Sequence, residues 1–195
     1  WCFVRGVNLL YPHAFYYSIR GPRRDERPPD VGPHAPWWPR YADYAQACRR
    51  LSYLNTDCTH ICHVAILGRP DWLPWRSARV CYENQIDFNY LEERHLTDTA
   101  HVDDAGIHIG VMHYQLLIAE HDPGPQARPA MTALEHAGRL VRFGADESDA
   151  SLVRRLATVV APTVRISPAA RGLRVRHMLR DNHHCYMLFN EEGAP

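Results

Sequence analysis

The chain has 195 residues, 22 basic groups that are all arginine, 22 carboxylates and a formal net charge of zero. That length allows one domain of ordinary size, or one domain with pieces of others. Balanced charge argues against strong sequence-independent nucleic-acid binding, no apolar run approaches the roughly 20 residues that span a bilayer, and the absence of lysine removes Schiff-base and phosphate-loop lysine chemistry. A hydrophobic share of 46% excludes disorder for most of the chain. The sequence starts Trp1-Cys2-Phe3-Val4, with no initiator Met and no signal segment. It stops at Pro195, soon after the strand-like run Tyr186-Met187-Leu188-Phe189. The expectation is a piece of a longer protein.

Residues 1–18 read as a buried strand, because Gly6-Val7-Asn8-Leu9-Leu10-Tyr11 is mostly apolar and Pro12-His13-Ala14 ends it. Continuous apolar strands suit a parallel sheet covered on both faces. A loop from about 19 to 39 follows, holding six of the 15 prolines (22, 28, 29, 33, 36 and 39). Its aromatic pair and dense arginines mark it as an ordered, functional loop. Tyr41, Tyr44, Ala45, Cys48, Leu51 and Leu54 fall near helical spacing and predict a helix over 40–54.

Strands and helices then alternate. His63-Val64-Ala65-Ile66-Leu67 is a short strand ended by Gly68-Arg69-Pro70, and a helix covers about 75–85. Ile86 to Leu91 alternates as a strand, and a short connection leads to a buried strand, Tyr114 to Ile118. A helix at 126–137 ends at Gly138, a glycine in the usual C′ place. Arg139 to Phe143 is a strand, Asp149 to Val160 a helix capped by Ser148, and Val164-Arg165-Ile166 a last short strand. The alternation from 60 to 167 predicts an α/β fold: a flavodoxin-like parallel sheet of four or five strands with helices on both faces. Leu173 to Leu179 and Cys185 to Phe189 flank Arg180-Asp181-Asn182-His183-His184 and read as a hairpin opening a β domain, with His183-His184 in the turn.

Three chemistries fail on inspection. The loop after the first strand, Gly68-Arg69-Pro70-Asp71-Trp72-Leu73-Pro74, has one glycine and two prolines, so it is no phosphate cradle. Cys81 sits inside a helix among apolar neighbours, with nothing to stabilise a thiolate. Cys58-Thr59-His60-Ile61-Cys62-His63 packs four metal-type ligands into six residues. It lacks CxxC or HxxxH spacing and runs into a strand that splits its faces, so no metal site and no cofactor are expected. The six cysteines read as reduced thiols. What remains is Tyr11-Pro12-His13-Ala14-Phe15-Tyr16-Tyr17-Ser18 with the loop to Trp38. Placed after a buried parallel strand, it lies where barrel enzymes build their sites. Aromatic faces and directional Arg, His and Glu groups suit sugars. The competing reading is that His13 and the tyrosines only close a barrel end, while Trp37-Trp38 start the helix.

These residues resemble a known family. Gly6-Val7-Asn8, Pro12 to Ser18, Glu26-Arg27-Pro28-Pro29 and Pro36-Trp37-Trp38 look like the closing part of the catalytic barrel of large bacterial glycoside hydrolases. Arg49 to Leu54, Val64 to Leu67 and Glu83 to Phe88 resemble the domain that follows. Arg174-Val175-Arg176-His177 and Leu188-Phe189-Asn190-Glu191 resemble the start of a β-sandwich. The α-L-rhamnosidase type is the nearest group. The resemblance implies three parts: residues 1–56 ending a (β/α)8 barrel, 57–170 a flavodoxin-like, amidotransferase-like accessory domain, and 171–195 starting a β-sandwich. It implies a carbohydrate substrate, the remaining domains of the parent chain as partners, and hydrolysis by two carboxylates carried on earlier barrel strands. It carries over His13, Tyr16, Tyr17, Arg24, Glu26, His34, Trp37 and Trp38 as substrate-binding residues. The alternative is a non-catalytic flavodoxin-like binding or interaction module.

Overall fold

The computed structural model describes residues 1–25 and 27–192. It is mixed α/β. In chain order the elements are α1 (Tyr41–Asn55), β1 (Thr59–His60), β2 (Val64–Gly68), α2 (Trp75–Glu83), β3 (Phe88–Glu92), α3 (Glu93–Asp98), β4 (His101–Asp103), β5 (Gly106–Ile109), β6 (Met112–Tyr114), β7 (Leu116–Ala119), α4 (Arg128–His136), β8 (Leu140–Arg142), α5 (Asp149–Val159), β9 (Leu173–Arg180) and β10 (His183–Asn190). The chain divides into two compact units, at Cys58 and Thr59. No helix among the described residues is long and apolar enough to cross a membrane.

In the first unit the strand expected within residues 1–18 does not form. Phe3–Arg5 is a 3-10 turn closed by Gly6 in the left-handed region, and Gly6 to Tyr11 is irregular, with Leu9 and Tyr11 exposed. An apolar run becomes a strand only when a neighbour pairs its backbone, and among the described residues of this unit no strand offers one. The segment is held instead by the buried side chain of Asn55, whose Nδ2 donates to the carbonyls of Phe3 (2.8 Å) and Val7 (2.9 Å).

The second unit is built on a sheet of four parallel strands in the order β3-β2-β7-β8. Its strands are nearly continuous apolar runs because both faces are covered. Val64, Ile66, Leu116, Ile118 and Val141 face one layer, packed on Ala78 and Cys81 of α2 and Leu152 and Leu156 of α5. Ala65, Leu67, Leu117 and Ala119 face the other, against Leu96 of α3, Met131 and Leu134 of α4, and Ile107 and Tyr114. Each fully buried Leu or Ile contributes about 1.5–3 kcal/mol. Arg76 donates to the carbonyls of Gly144, Ala145 and Glu147, and Arg79 pairs with Asp149 at 2.9 Å, which ties α2 to the start of α5. Ser148 caps α5 by accepting from the Ser151 amide, and Gly138, with φ +68°, ends α4 as expected.

Three details differ from the sequence reading. The connection from β3 to β7 is not bare: it carries α3 and a small antiparallel sheet in the order β4-β5-β6. Gly106 in β5 has φ +138°, and a Cβ there would lie 2.1 Å from the Tyr114 carbonyl oxygen, so only glycine fits. Val164 to Ile166 forms no strand. His183 and His184 belong to β10 rather than to the turn. Asp181 and Asn182, with φ +48° and +60°, make a two-residue turn by themselves. The hairpin β9–β10 pairs with β1 in a third, antiparallel sheet, β1-β9-β10, within the same compact unit.

Candidate functional site

The residues expected to bind substrate lie in the first unit. Tyr16 is a loop tie: its amide donates to Asp30 Oδ1 (3.0 Å) and its hydroxyl to the Pro28 carbonyl (2.6 Å). With the Val31 amide donating to the Ala14 carbonyl at 2.9 Å, these bonds strap residues 14–16 to 28–31. Tyr17 and His13 project into solvent, as does His34. Arg24 lies in the 3-10 turn Gly21–Asp25 and faces Asp25 at 4.0 Å, both side chains exposed, a pair of little energetic value. Glu26 lies outside the described residues. Among the described residues no strand precedes this set.

The two tryptophans part company. Trp38 is half-buried and stacks on Tyr41 (centroids 4.9 Å, planes 20° apart), while Phe15 meets both rings edge-on at 6.1 and 5.6 Å. This cluster lies where the chain passes from the 3-10 turn Trp38–Arg40 into α1. Trp37 is 51% exposed. It lines a cleft of about 370 Å³ with Pro12, Val31, Arg40, Tyr41 and Tyr44. Tyr41 and Tyr44 come from successive positions on one face of α1, their rings 5.8 Å apart. A hydrogen bond with Cys48 and partial burial hold the Tyr44 phenol above its ordinary range, so it stays neutral at physiological pH. The cleft therefore offers three aromatic rings, two apolar walls and one fixed cation, Arg40. Of the residues in its wall, only Trp37 is among the residues the sequence carried over as substrate-binding, while Pro12 and Val31 lie in the stretch it singled out. Tyr41 and Tyr44 were legible only as core positions of a helix.

The second unit has the other natural location, the carboxyl ends of the parallel strands. The strand order reverses between β2 and β7, which is where open α/β sheets leave a ligand crevice. Here the chain fills it. Oε1 of Glu120, just past β7, accepts from the Ser77 amide (2.7 Å) and hydroxyl (2.5 Å) in the first turn of α2. A carboxylate thus takes the place at a helix N-terminus that suits a bound anion. His121 is covered by the edge of Trp72 at 5.5 Å, and its Nε2 lies 3.4 Å from Glu93 Oε1, whose other oxygen accepts from the Gly124 amide (2.8 Å). What remains open is a hollow of about 170 Å³ lined by residues 119–122 and 142–144. Arg142 in its wall is already paired with Asp122 (2.9 Å) and Glu135 (3.3 Å).

The family models and the curated proteins hold no match to this sequence. The site is therefore read from its own chemistry. Cys81 is fully buried, and burial pushes its thiol far up, away from any nucleophilic form. Cys62 is pushed up in the same way. His60 sits between Asp87 (Nε2 to Oδ2, 3.4 Å) and Asn89 (Nδ1 to Oδ1, 3.0 Å), and Asn89 donates to the Tyr114 hydroxyl at 3.0 Å. Among the described residues no group of three or more His, Cys, Asp or Glu side chains is arranged to hold a metal ion. Glu93, Glu120 and His121 were not singled out in the sequence. Their signal was position, polar residues immediately past buried strands.

Proposed function

We propose that this chain binds a saccharide in the aromatic cleft of residues 1–58 and is part of a glycoside hydrolase resembling the α-L-rhamnosidase type. The observation that carries the reading is the exposed Trp37 beside Tyr41 and Tyr44 in one cleft of about 370 Å³. Flat aromatic faces bury the apolar face of a pyranose. In this reading the unit from Thr59 is a flavodoxin-like accessory unit. Its strand order supports that, and Glu120 supports a non-catalytic role, since the usual anion position is taken by the chain's own carboxylate. The barrel origin of residues 1–56 and the β-sandwich start at 171–195 rest on the sequence resemblance alone. We assign neither catalytic carboxylate to this chain, so it is expected to bind and not to hydrolyse. Titration with a rhamnose-containing oligosaccharide, followed by tryptophan fluorescence, tests this. Binding that disappears in Trp37→Ala supports the reading. Unchanged affinity in Trp37→Ala, or no saturable response, removes it.

A further inference from the structure

Among the described residues, Arg40 is the one charged residue in the wall of the cleft. Resting on the saccharide reading above, we infer that the cleft selects acidic sugars, with Arg40 taking the carboxylate of a hexuronate whose ring lies on Trp37.

Three observations carry this. First, the guanidinium is available. Its only described ion pair is with Asp43 at 3.6 Å, and the two side chains are 87% and 76% exposed. Exposed pairs of this kind are weakly held, so a ligand carboxylate displaces Asp43 at small cost. Second, arginine is suited to the task, because its planar fork grips a carboxylate through two parallel N–H bonds. A neutral sugar hydroxyl uses one of them and gains no charge. Among the described residues the rest of the wall, Pro12, Val31, Trp37, Tyr41 and Tyr44, brings no second cation and no carboxylate, so the discrimination falls on Arg40. Third, the surrounding field has the right sign. Residues 1–58 hold eight arginines against five carboxylates, although the whole chain is neutral. That excess raises the local concentration of an anionic ligand at low salt.

Asp43 makes the inference sharper. It competes for the same guanidinium from the first turn of α1 and does not itself line the cleft. Removing its charge frees Arg40 and removes a repulsion from the incoming carboxylate.

The test compares tri-galacturonate with neutral galactotriose on the full 195-residue chain by calorimetry at low salt. The expected result is acidic over neutral by about tenfold, as for a gained charge-assisted pair. The preference should shrink at 0.5 M salt, vanish in Arg40→Gln and grow in Asp43→Asn. Arg40 is exposed, and near-ultraviolet circular dichroism checks that the variant stays folded. Equal binding of the two sugars, both lost in Trp37→Ala, would overturn the acidic inference and leave the saccharide reading standing. A preference that survives Arg40→Gln would overturn it as well. No binding of either sugar would overturn the acidic inference, and the rhamnose titration with Trp37→Ala then decides the saccharide reading on its own.

Discussion

Glu120→Ala should be among the most costly single changes in the second unit. Ser77 is fully buried, and both its amide and its hydroxyl donate to Glu120 Oε1. The variant leaves the amide with no acceptor, while the hydroxyl keeps only a long contact to the Pro74 carbonyl at 3.4 Å. A charge-assisted bond contributes about 1.5–3 kcal/mol, and a carboxylate at a helix N-terminus adds about 0.3–1 kcal/mol. The two bonds share one oxygen, so the sum is held to about 2–4 kcal/mol. For a unit of this size that corresponds to roughly 6–16 °C in Tm. Glu120→Gln keeps an acceptor oxygen and loses the charge, so it should fall between wild type and Glu120→Ala. Urea unfolding followed by far-ultraviolet circular dichroism reads the difference. A loss below about 0.5 kcal/mol in Glu120→Ala would mean that α2 does not need this carboxylate, and the self-filled crevice would have to be abandoned.

Further outcomes follow from the same geometry. Leu117→Ala, at a fully buried site of the central sheet, should cost about 2–5 kcal/mol in urea unfolding. Gly106→Ala should destabilise by more than about 1 kcal/mol, because the strand must shift away from the Tyr114 carbonyl; hydrogen exchange should speed up first in β4–β6. Burial and the neighbouring His184, together with the more distant His60 and His63, outweigh Asp87 and hold His177 below its ordinary value. The unfolded chain therefore takes up that proton first. The His177 contribution is full above about pH 6.5 and is lost as pH falls below it, so His177→Gln should flatten the stability profile between pH 7 and 5. A slope identical to wild type would show that other groups set it. Native-state alkylation should spare Cys62 and Cys81 and reach Cys48, Cys58 and Cys185, as mass spectrometry of peptides would show.

The parallel sheet was legible because Val64 to Leu67 and Leu116 to Ile118 are uninterrupted apolar runs, which few other environments tolerate. Ser148 and Gly138 marked helix ends through local chemistry that tertiary structure does not override. The small sheet was not legible. Its strands His101–Asp103, Gly106–Ile109 and Met112–Tyr114 are three or four residues long and carry His and Asp on an outer face, so no period stands out. Gly6 to Tyr11 misled for the opposite reason. Its composition is that of a strand, and strand formation depends on a pairing partner that composition does not reveal. The cleft was half legible. Trp37-Trp38 announced aromatic surface, but which ring packs and which faces outward depends on Phe15 and Tyr41, brought together only by the fold.

The central claim is that Trp37 is the ring that meets the ligand and Trp38 the ring that holds the fold. The most direct measurement is the set of five indole N–H resonances in a proton–nitrogen correlation spectrum, assigned with Trp37→Phe and Trp38→Phe and recorded through an oligosaccharide titration. The account predicts that the Trp37 signal moves furthest and saturates with the binding isotherm. Largest movement at a different tryptophan, or five unmoved signals at millimolar sugar, would contradict it.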